Sequence, residues 1–157
     1  MRVMGNILCS LCAALLFVSC EGDVFETIIG DNSDHDAVYV GDVVVDQNDG
    51  TTFTKSEVEV SYTLNDDGTL NVFMKKVKFA KAMPAINMEI PNVTVLDNGS
   101  EMTLSGDGIV PVALGGKFEK FTITNLIGSI SEMEMSLSFA CGEYPVTYLG
   151  ERISVGK

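Results

Sequence analysis

Apolar and polar residues alternate one for one through most of the chain after residue 37. In the segment 57–64 the even positions hold valine, tyrosine and leucine, whereas the odd positions hold glutamate, serine and threonine. Successive side chains of a β-strand point to opposite faces, so this alternation predicts strands with one buried and one solvated face. No segment keeps a helical period over three turns. The sequence therefore predicts an all-β domain over residues 37–157.

Turn-forming residues separate these strands at intervals of about ten residues. The tetrapeptide Asn65-Asp66-Asp67-Gly68 predicts a hairpin in which Tyr62 faces Val72, so that apolar residues meet across the two strands. Closing such a meander into a barrel removes its unpaired edges. We therefore expect an antiparallel up-and-down barrel of about eight strands, whose interior is either filled by side chains or holds one small ligand.

Two later segments also have the composition of turns. The dipeptide Asn98-Gly99 predicts a two-residue type I′ turn, in which both central residues have positive φ, and this turn places Val95 opposite Met102. The segment Asn125-Leu126-Ile127-Gly128 predicts a tight turn or a single helical turn.

The apolar phase slips by one residue at two places, which indicates two β-bulges. The slips fall at Lys75-Lys76 and at Pro91-Asn92. A hairpin centred between Met83 and Pro84 would place the two slips opposite each other and Val77 opposite Ile90. Two strands that bend at one level predict a sheet that curls on itself, as at a barrel corner.

The N-terminus has the organisation of a bacterial lipoprotein signal. Arg2 gives a basic start, and an apolar run occupies residues 7–18. The segment Leu16-Phe17-Val18-Ser19-Cys20 resembles the lipobox, whose cysteine is acylated and becomes the first residue of the mature chain. The run is shorter than the roughly 20 apolar residues that a membrane span needs. We expect residues 1–19 to be a signal peptide and Cys20 to be lipidated, with simple secretion as the alternative.

Residues 20–36 follow the signal and form an acidic tether. Six acidic residues and several small polar ones leave this segment little to bury, so we interpret it as an extended spacer. A surface-export signal, which it loosely resembles, is the second interpretation. The chain has ten basic and 22 acidic residues, and the loss of Arg2 with the signal leaves nine basic ones. This acidity excludes nucleic acid as a partner and leaves the lipid as the membrane contact.

The order of several short motifs is similar to that of a known family. The motifs are Tyr39-Val40-Gly41-Asp42-Val43, Met83-Pro84, Ile90-Pro91-Asn92-Val93, Leu104-Ser105-Gly106-Asp107-Gly108 and Asn125-Leu126-Ile127-Gly128. Together they resemble the calycin-like β-barrel domain of Bacteroidetes lipoproteins over about Tyr39 to Gly150. The resemblance implies a lipocalin-like barrel on a surface lipoprotein and implies no particular ligand.

Two groups of residues are candidates for binding. The apolar strand faces carry flexible methionines and aromatic rings that would line a ligand cavity or fill a core. These candidate interior contacts are Tyr62, Met74, Met88, Met102, Met135 and Phe139. Four lysines lie within seven positions, and they form either a solvated strand edge or a patch for an anionic ligand. These are Lys75, Lys76, Lys78 and Lys81.

The remaining reactive residue types favour structural roles. With Cys20 acylated, Cys141 has no disulfide partner, so we expect a small buried residue rather than a nucleophile. His35 is the only histidine and lies in the tether, so hydrolytic triads and common zinc sites lack their parts. The acidic segments 31–36 and 46–50 could each offer oxygen ligands to calcium, but their compositions are better explained by a tether and by a turn. We expect no metal, no cofactor and no enzymatic activity.

The sequence thus predicts a lipid-anchored barrel of the cell envelope, attached to the outer membrane and facing either side of it. The leading hypothesis is a module that binds a small apolar ligand. The alternative is a structural or interaction lipoprotein with a filled barrel, whose loops contact an envelope protein or a glycan.

Overall fold

The computed structural model describes residues 37–153, which form ten β-strands and one 3₁₀ helix. The strands are β1 (Ala37–Asp46), β2 (Thr52–Leu64), β3 (Thr69–Val77), β4 (Ile86–Asp97), β5 (Glu101–Gly106), β6 (Val112–Ala113), β7 (Gly116–Lys117), β8 (Ile123–Ser131), β9 (Glu134–Cys141) and β10 (Tyr144–Arg152). The helix spans Glu119–Phe121. The predicted signal peptide, Cys20 and the tether lie outside the described residues. No helix within the described range is long and apolar enough to span a membrane.

Eight of the strands close into an antiparallel barrel, which confirms the predicted fold class. Their order around the barrel is β3-β2-β1-β10-β9-β8-β5-β4, and pairing of β3 with β4 completes the ring. The short strands β6 and β7 form a hairpin that pairs with β4 next to β5. With the short β6–β7 hairpin left aside, each strand of the ring pairs with the strands that precede and follow it along the chain, with one exception. The exception is β1 with β10.

The strand directions give the barrel two distinct ends. The entry end is where β1 begins and β10 ends, and it carries the short turns at residues 65–68, 98–100 and 132–133. The loop end carries the longer connections at residues 47–51, 78–85 and 107–122, together with a two-residue turn at 142–143. Any chain that precedes Ala37 therefore joins the barrel at the entry end.

The alternating apolar residues point inward and form one continuous hydrophobic core. Strand β9 shows the pattern clearly, because Met135, Leu137 and Phe139 are buried while the serines between them are only partly so. The hairpin of β2 and β3 has the predicted register, with Tyr62 opposite Val72. Burial of one face on each of the eight strands of the ring is therefore the main source of stability.

Two tyrosines tie strands together by hydrogen bonds from the core. The Tyr39 hydroxyl donates to the Ser131 carbonyl oxygen at 2.8 Å, and so links β1 to β8 at the entry end. The Tyr148 hydroxyl donates to the Val58 carbonyl oxygen at 3.3 Å, and so links β10 to β2. Burial raises the pKa of the Tyr39 hydroxyl further above its ordinary value of 10.0.

The predicted register of β3 and β4 is wrong, although both bulges exist. Val77 faces Ile86 rather than Ile90, because residues 78–85 form a loop and not a tight hairpin. The bulges consequently do not oppose each other. Lys76 and Asn92 both have positive φ, of 52° and 55°.

An asparagine from the opposite strand satisfies the amide at each bulge. The Lys76 N–H donates to Asn87 Oδ1 at 2.9 Å, and the Asn92 N–H donates to Asn71 Oδ1 at 3.0 Å. Each amide would otherwise lack its ladder partner. The two asparagines are therefore what fixes the bulges in place.

The turn between β4 and β5 is shifted by one residue from its predicted centre. Gly99 and Ser100 are the central residues, the Asn98 N–H donates to the Glu101 carbonyl oxygen at 3.0 Å, and Val95 consequently faces Leu104 instead of Met102. Gly99 has a φ of 88°, and glycine at the first central position suits a type II′ turn.

The predicted turn at residues 125–128 is also wrong, because this segment lies inside β8. Its turn-like composition marks a bulge, where Asn125 has a φ of 51° and the register to β9 shifts. The Asn125 N–H donates to Asp107 Oδ1 at 3.0 Å. Asn125 therefore adopts its positive φ at a bulge within a strand and not at a turn that reverses the chain.

Candidate functional site

The predicted interior contacts come together in the core of the barrel. Tyr62, Met74, Met88, Met135 and Phe139 are all buried, with exposed fractions of 7% or less. Met102 is partly buried and packs against this core from β5. The period-two pattern therefore placed these residues on the correct face of their strands.

The burial of these side chains bears on whether the interior holds a ligand. A side chain that borders a ligand-sized cavity keeps surface that a water molecule could touch. Met74, Met135 and Phe139 have exposed fractions of 1%, 0% and 3%, so their surfaces are covered by neighbouring atoms. The Tyr39 and Tyr148 hydroxyls in the core are already donating to backbone carbonyls. The side chains of the barrel interior are therefore packed against one another.

The four predicted lysines lie at the loop end of β3 and in the loop that follows. Lys75 is exposed on β3, and its Nζ is 2.6 Å from Glu59 Oε1 on β2. Lys76 follows in the bulge and is also exposed. Lys78 donates from its Nζ to the Lys81 carbonyl oxygen at 3.2 Å, across the start of loop 78–85.

Loop 78–85 is fixed to the barrel by its phenylalanine. Phe79 is buried, and its carbonyl oxygen accepts a hydrogen bond from Gln47 Nε2 at 3.0 Å. Its ring packs on Phe121 with the centroids 6.3 Å apart, and Phe121 stacks on Phe118 at 4.9 Å. These contacts bring the 3₁₀ helix against the lysine-bearing loop.

Two further lysines, distant in sequence from the predicted four, lie on elements that pack beside β4 and loop 78–85. Lys120 lies in the 3₁₀ helix, with its Nζ 5.9 Å from the centroid of the Phe121 ring. Lys117 lies on β7, where it pairs with Val112, which in turn pairs with Glu89 on β4. We call the combined set the lysine flank. It comprises Lys75, Lys76, Lys78, Lys81, Lys117 and Lys120.

Most of the lysine flank is not neutralised by carboxylates. The one ion pair within residues 37–153 is that of Lys75 with Glu59, so the other five ammonium groups have no carboxylate partner there. Glu89 lies beneath the flank and accepts a hydrogen bond from Asn71 Nδ2 at 2.9 Å. Burial raises the pKa of the Glu89 carboxyl.

The entry end is acidic. Its turns and strand ends carry seven acidic residues, which are Asp66, Asp67, Asp97, Glu101, Glu132, Glu134 and Glu151. Arg152 is the basic residue among the described part of this end. The entry end is therefore acidic, whereas the loop end carries lysines together with the carboxylates of Asp46, Asp49, Asp107, Glu119 and Glu143.

The remaining candidate residues lie in surroundings that fit a structural role and not a chemical one. Cys141 is fully buried, as predicted, and its thiol lies 3.7 Å from the Phe121 carbonyl oxygen. Burial raises the pKa of this thiol to about 12. Within residues 37–153, no three histidine, cysteine, aspartate or glutamate side chains are grouped to hold a metal ion.

The barrel is similar to one of known structure. The chain matches no protein-family model and no curated protein sequence. It does match the crystal structure of a "putative outer membrane protein" from Bacteroides fragilis, with a TM-score of 0.53 and 19% sequence identity. The match covers 73% of this chain and 49% of that protein, so this chain spans about half its length. This likeness supports the barrel fold, while the calycin-like family stays a prediction.

Proposed function

We propose that this chain is a lipid-anchored, non-enzymatic protein of the bacterial outer membrane, with a filled barrel that acts through its outer surface. The signal-like segment and Cys20 support the anchor. The structural neighbour assigned to the outer membrane supports the location. In this proposal the barrel is a rigid scaffold, and the loop end contacts an envelope protein or a glycan.

The observation that carries this proposal is the packing of the core. Sites for drug-sized ligands are concave cavities of about 300 Å³ or more, and they keep lining residues accessible. Met74, Met135 and Phe139 are covered by protein atoms instead. A filled core favours the interaction protein over the small-ligand carrier.

Binding of a small apolar probe tests the filled barrel. We expect the mature protein to show no saturable binding of 1-aminoanthracene, a fluorescent apolar probe, at micromolar protein. Met135→Ala is the control, because it removes a fully buried side chain and leaves an apolar cavity that such a molecule can enter. Saturable binding by the unmodified protein, or a small molecule retained in native mass spectra of protein from host membranes, would favour the ligand carrier.

Membrane attachment is tested at Cys20. We expect the native protein to fractionate with membranes and to carry acyl mass on Cys20, whereas Cys20→Ser should lose the acyl mass and leave the membrane fraction. An unmodified N-terminus on membrane-bound protein would contradict the anchor and leave the filled barrel intact.

A further inference from the structure

We propose that the lysine flank binds an anionic polysaccharide, which it contacts along the side of the barrel formed by β3, β4, β6 and β7. This inference rests on the proposed function and names the class of partner. Its starting point is that Lys75 and Lys117 lie on nearby strands of one sheet. Loop 78–85 and the 3₁₀ helix, which meet through the rings of Phe79 and Phe121, add further lysines at the loop end of the same barrel.

The dimensions of the flank suit a polymer better than a small anion. Lys75 lies on β3, adjacent to β4, and Lys117 lies two strands beyond β4 on the other side. At about 4.8 Å between neighbouring strands, the flank extends for about 15 Å across the sheet. A single phosphate or carboxylate would meet one or two of these ammonium groups. A chain of repeated charges can meet all of them.

The side chains of the flank suit a glycan better than a folded protein. Protein interfaces are depleted in lysine at their centres and depend on buried aromatic or arginine anchors. The flank instead offers lysines, whose side chains are long and flexible, around the exposed Asn87 and around Leu114, which is 75% exposed. An amide and an aliphatic side chain between cations match the hydroxyls and apolar ring faces of a charged sugar.

The position of the flank on the barrel disfavours anionic lipid as the partner. The tether joins at Ala37 on the entry end, whereas the flank lies toward the loop end. The acidic turns of the entry end, including Asp66 and Asp67, would be repelled by anionic headgroups. The lysines thus lie away from the end of the barrel to which the tether is attached.

The experiment measures binding of the mature acylated protein, in a neutral detergent, to immobilised polygalacturonate. We expect binding that weakens about tenfold or more between roughly 50 and 200 mM salt, as the release of counterions requires. Neutral dextran should not bind. Replacing Lys78, Lys117 and Lys120 together by glutamine should lower the affinity by about tenfold.

The matched control is Lys55→Gln, which removes the same charge from β2 outside the flank. Its affinity should stay within about twofold of the original, whereas Lys117→Gln alone should lose more. Equal losses for these two variants, or no binding to polygalacturonate at the lower salt concentration, would overturn the proposal. Binding that depends on the flank but occurs only on vesicles containing phosphatidylglycerol would assign the site to lipid instead.

The test is separable from that of the filled barrel. The triple glutamine variant changes exposed or half-exposed side chains, so its melting temperature and its failure to bind 1-aminoanthracene should match those of the original protein. If polygalacturonate binding fails while the core still excludes the probe, the proposed function stands and the polysaccharide is rejected.

Discussion

Gly41 on β1 lies directly opposite Gly150 on β10, so no side chain stands between the two backbones where the barrel closes. The Tyr148 hydroxyl occupies the space that a side chain on Gly150 would need. On the other side, β2 shifts its register to β1 between Gly41 and Val43. The pair therefore lets three strands approach closely around one tyrosine.

A methyl group on this glycine pair should destabilise the barrel. In Gly41→Ala the new Cβ would collide with the Leu149 carbonyl oxygen, a backbone atom that cannot rotate away. We expect a loss of about 3 kcal/mol in the free energy of unfolding, measured by urea denaturation. Gly116→Ala is the control, because nothing lies within 4 Å of its Cβ position, and its effect should be below about 0.5 kcal/mol. Equal effects would show that β1 and β10 are not this close.

Two methionines separated by one residue should differ sharply in their contribution to stability. Met135 is fully buried, whereas Met133 in the preceding turn is 72% exposed. We expect Met135→Ala to cost about 2–5 kcal/mol, because it leaves a cavity in the core. Met133→Ala should change the unfolding free energy by less than about 0.5 kcal/mol. A small cost for Met135→Ala would mean that the barrel already contains empty space.

The Cys141 thiol should resist alkylation until the barrel unfolds. Its pKa is raised to about 12 by burial, so almost no thiolate exists at pH 8, and reagents cannot reach it. In a chain with Cys9, Cys12 and Cys20 replaced by serine, iodoacetamide should label Cys141 at a measurable rate only in denaturant. Rapid labelling of the folded protein, followed by mass spectrometry, would reveal local opening around Phe121.

The Asp67 carboxylate should make stability depend on pH in the acid range. Its pKa is lowered from the ordinary 3.8 because it accepts hydrogen bonds from the Thr69 hydroxyl and from the Thr69 N–H. A lowered pKa stabilises the folded state above pH 3.8, and the effect disappears as the pH falls through the folded-state value. Asp67→Asn should therefore lower the melting temperature at pH 7, and this difference should shrink as the pH falls below 3.8.

The control for that measurement is Asp66→Asn. Asp66 is the adjacent residue of the same turn, and within residues 37–153 its carboxylate accepts no hydrogen bond. Asp66→Asn removes the same charge from the turn without removing the hydrogen bonds that Thr69 donates to Asp67, so it should lower the melting temperature at pH 7 less than Asp67→Asn does. A similar pH dependence in both variants would indicate a general effect of net charge.

The alternation of residues predicts the inward faces correctly but not every strand pairing. The register of β2 and β3 was predictable because Asp67-Gly68 leaves only a short turn between them. The β3 and β4 pairing was not, because moving one strand by two or four residues still sets apolar residues against apolar ones. There the loop 78–85 decides the register, and its length has no local sequence signal.

The candidate site was predictable only where its residues are close in sequence. The cluster Lys75 to Lys81 is visible by inspection, but Lys117 and Lys120 join it through the β6–β7 hairpin and the ring contact of Phe79 with Phe121. The sequence also could not predict whether the barrel interior is filled, because this depends on how the side-chain volumes fit inside the closed ring of strands.

The pairing of β1 with β10 has a consequence for how the chain reaches its folded state. Every other pair of neighbours in the ring consists of strands that are consecutive along the chain, apart from the β6–β7 hairpin. Pairing of β1 with β10 instead brings together the two ends of the barrel sequence, such as Tyr39 and Arg152. Contacts between residues so far apart in sequence are slow to form. Until they form, β1 and β10 each expose an edge on which another chain can add a strand. Aggregation should therefore compete with folding at this single step, and dilution should favour the barrel.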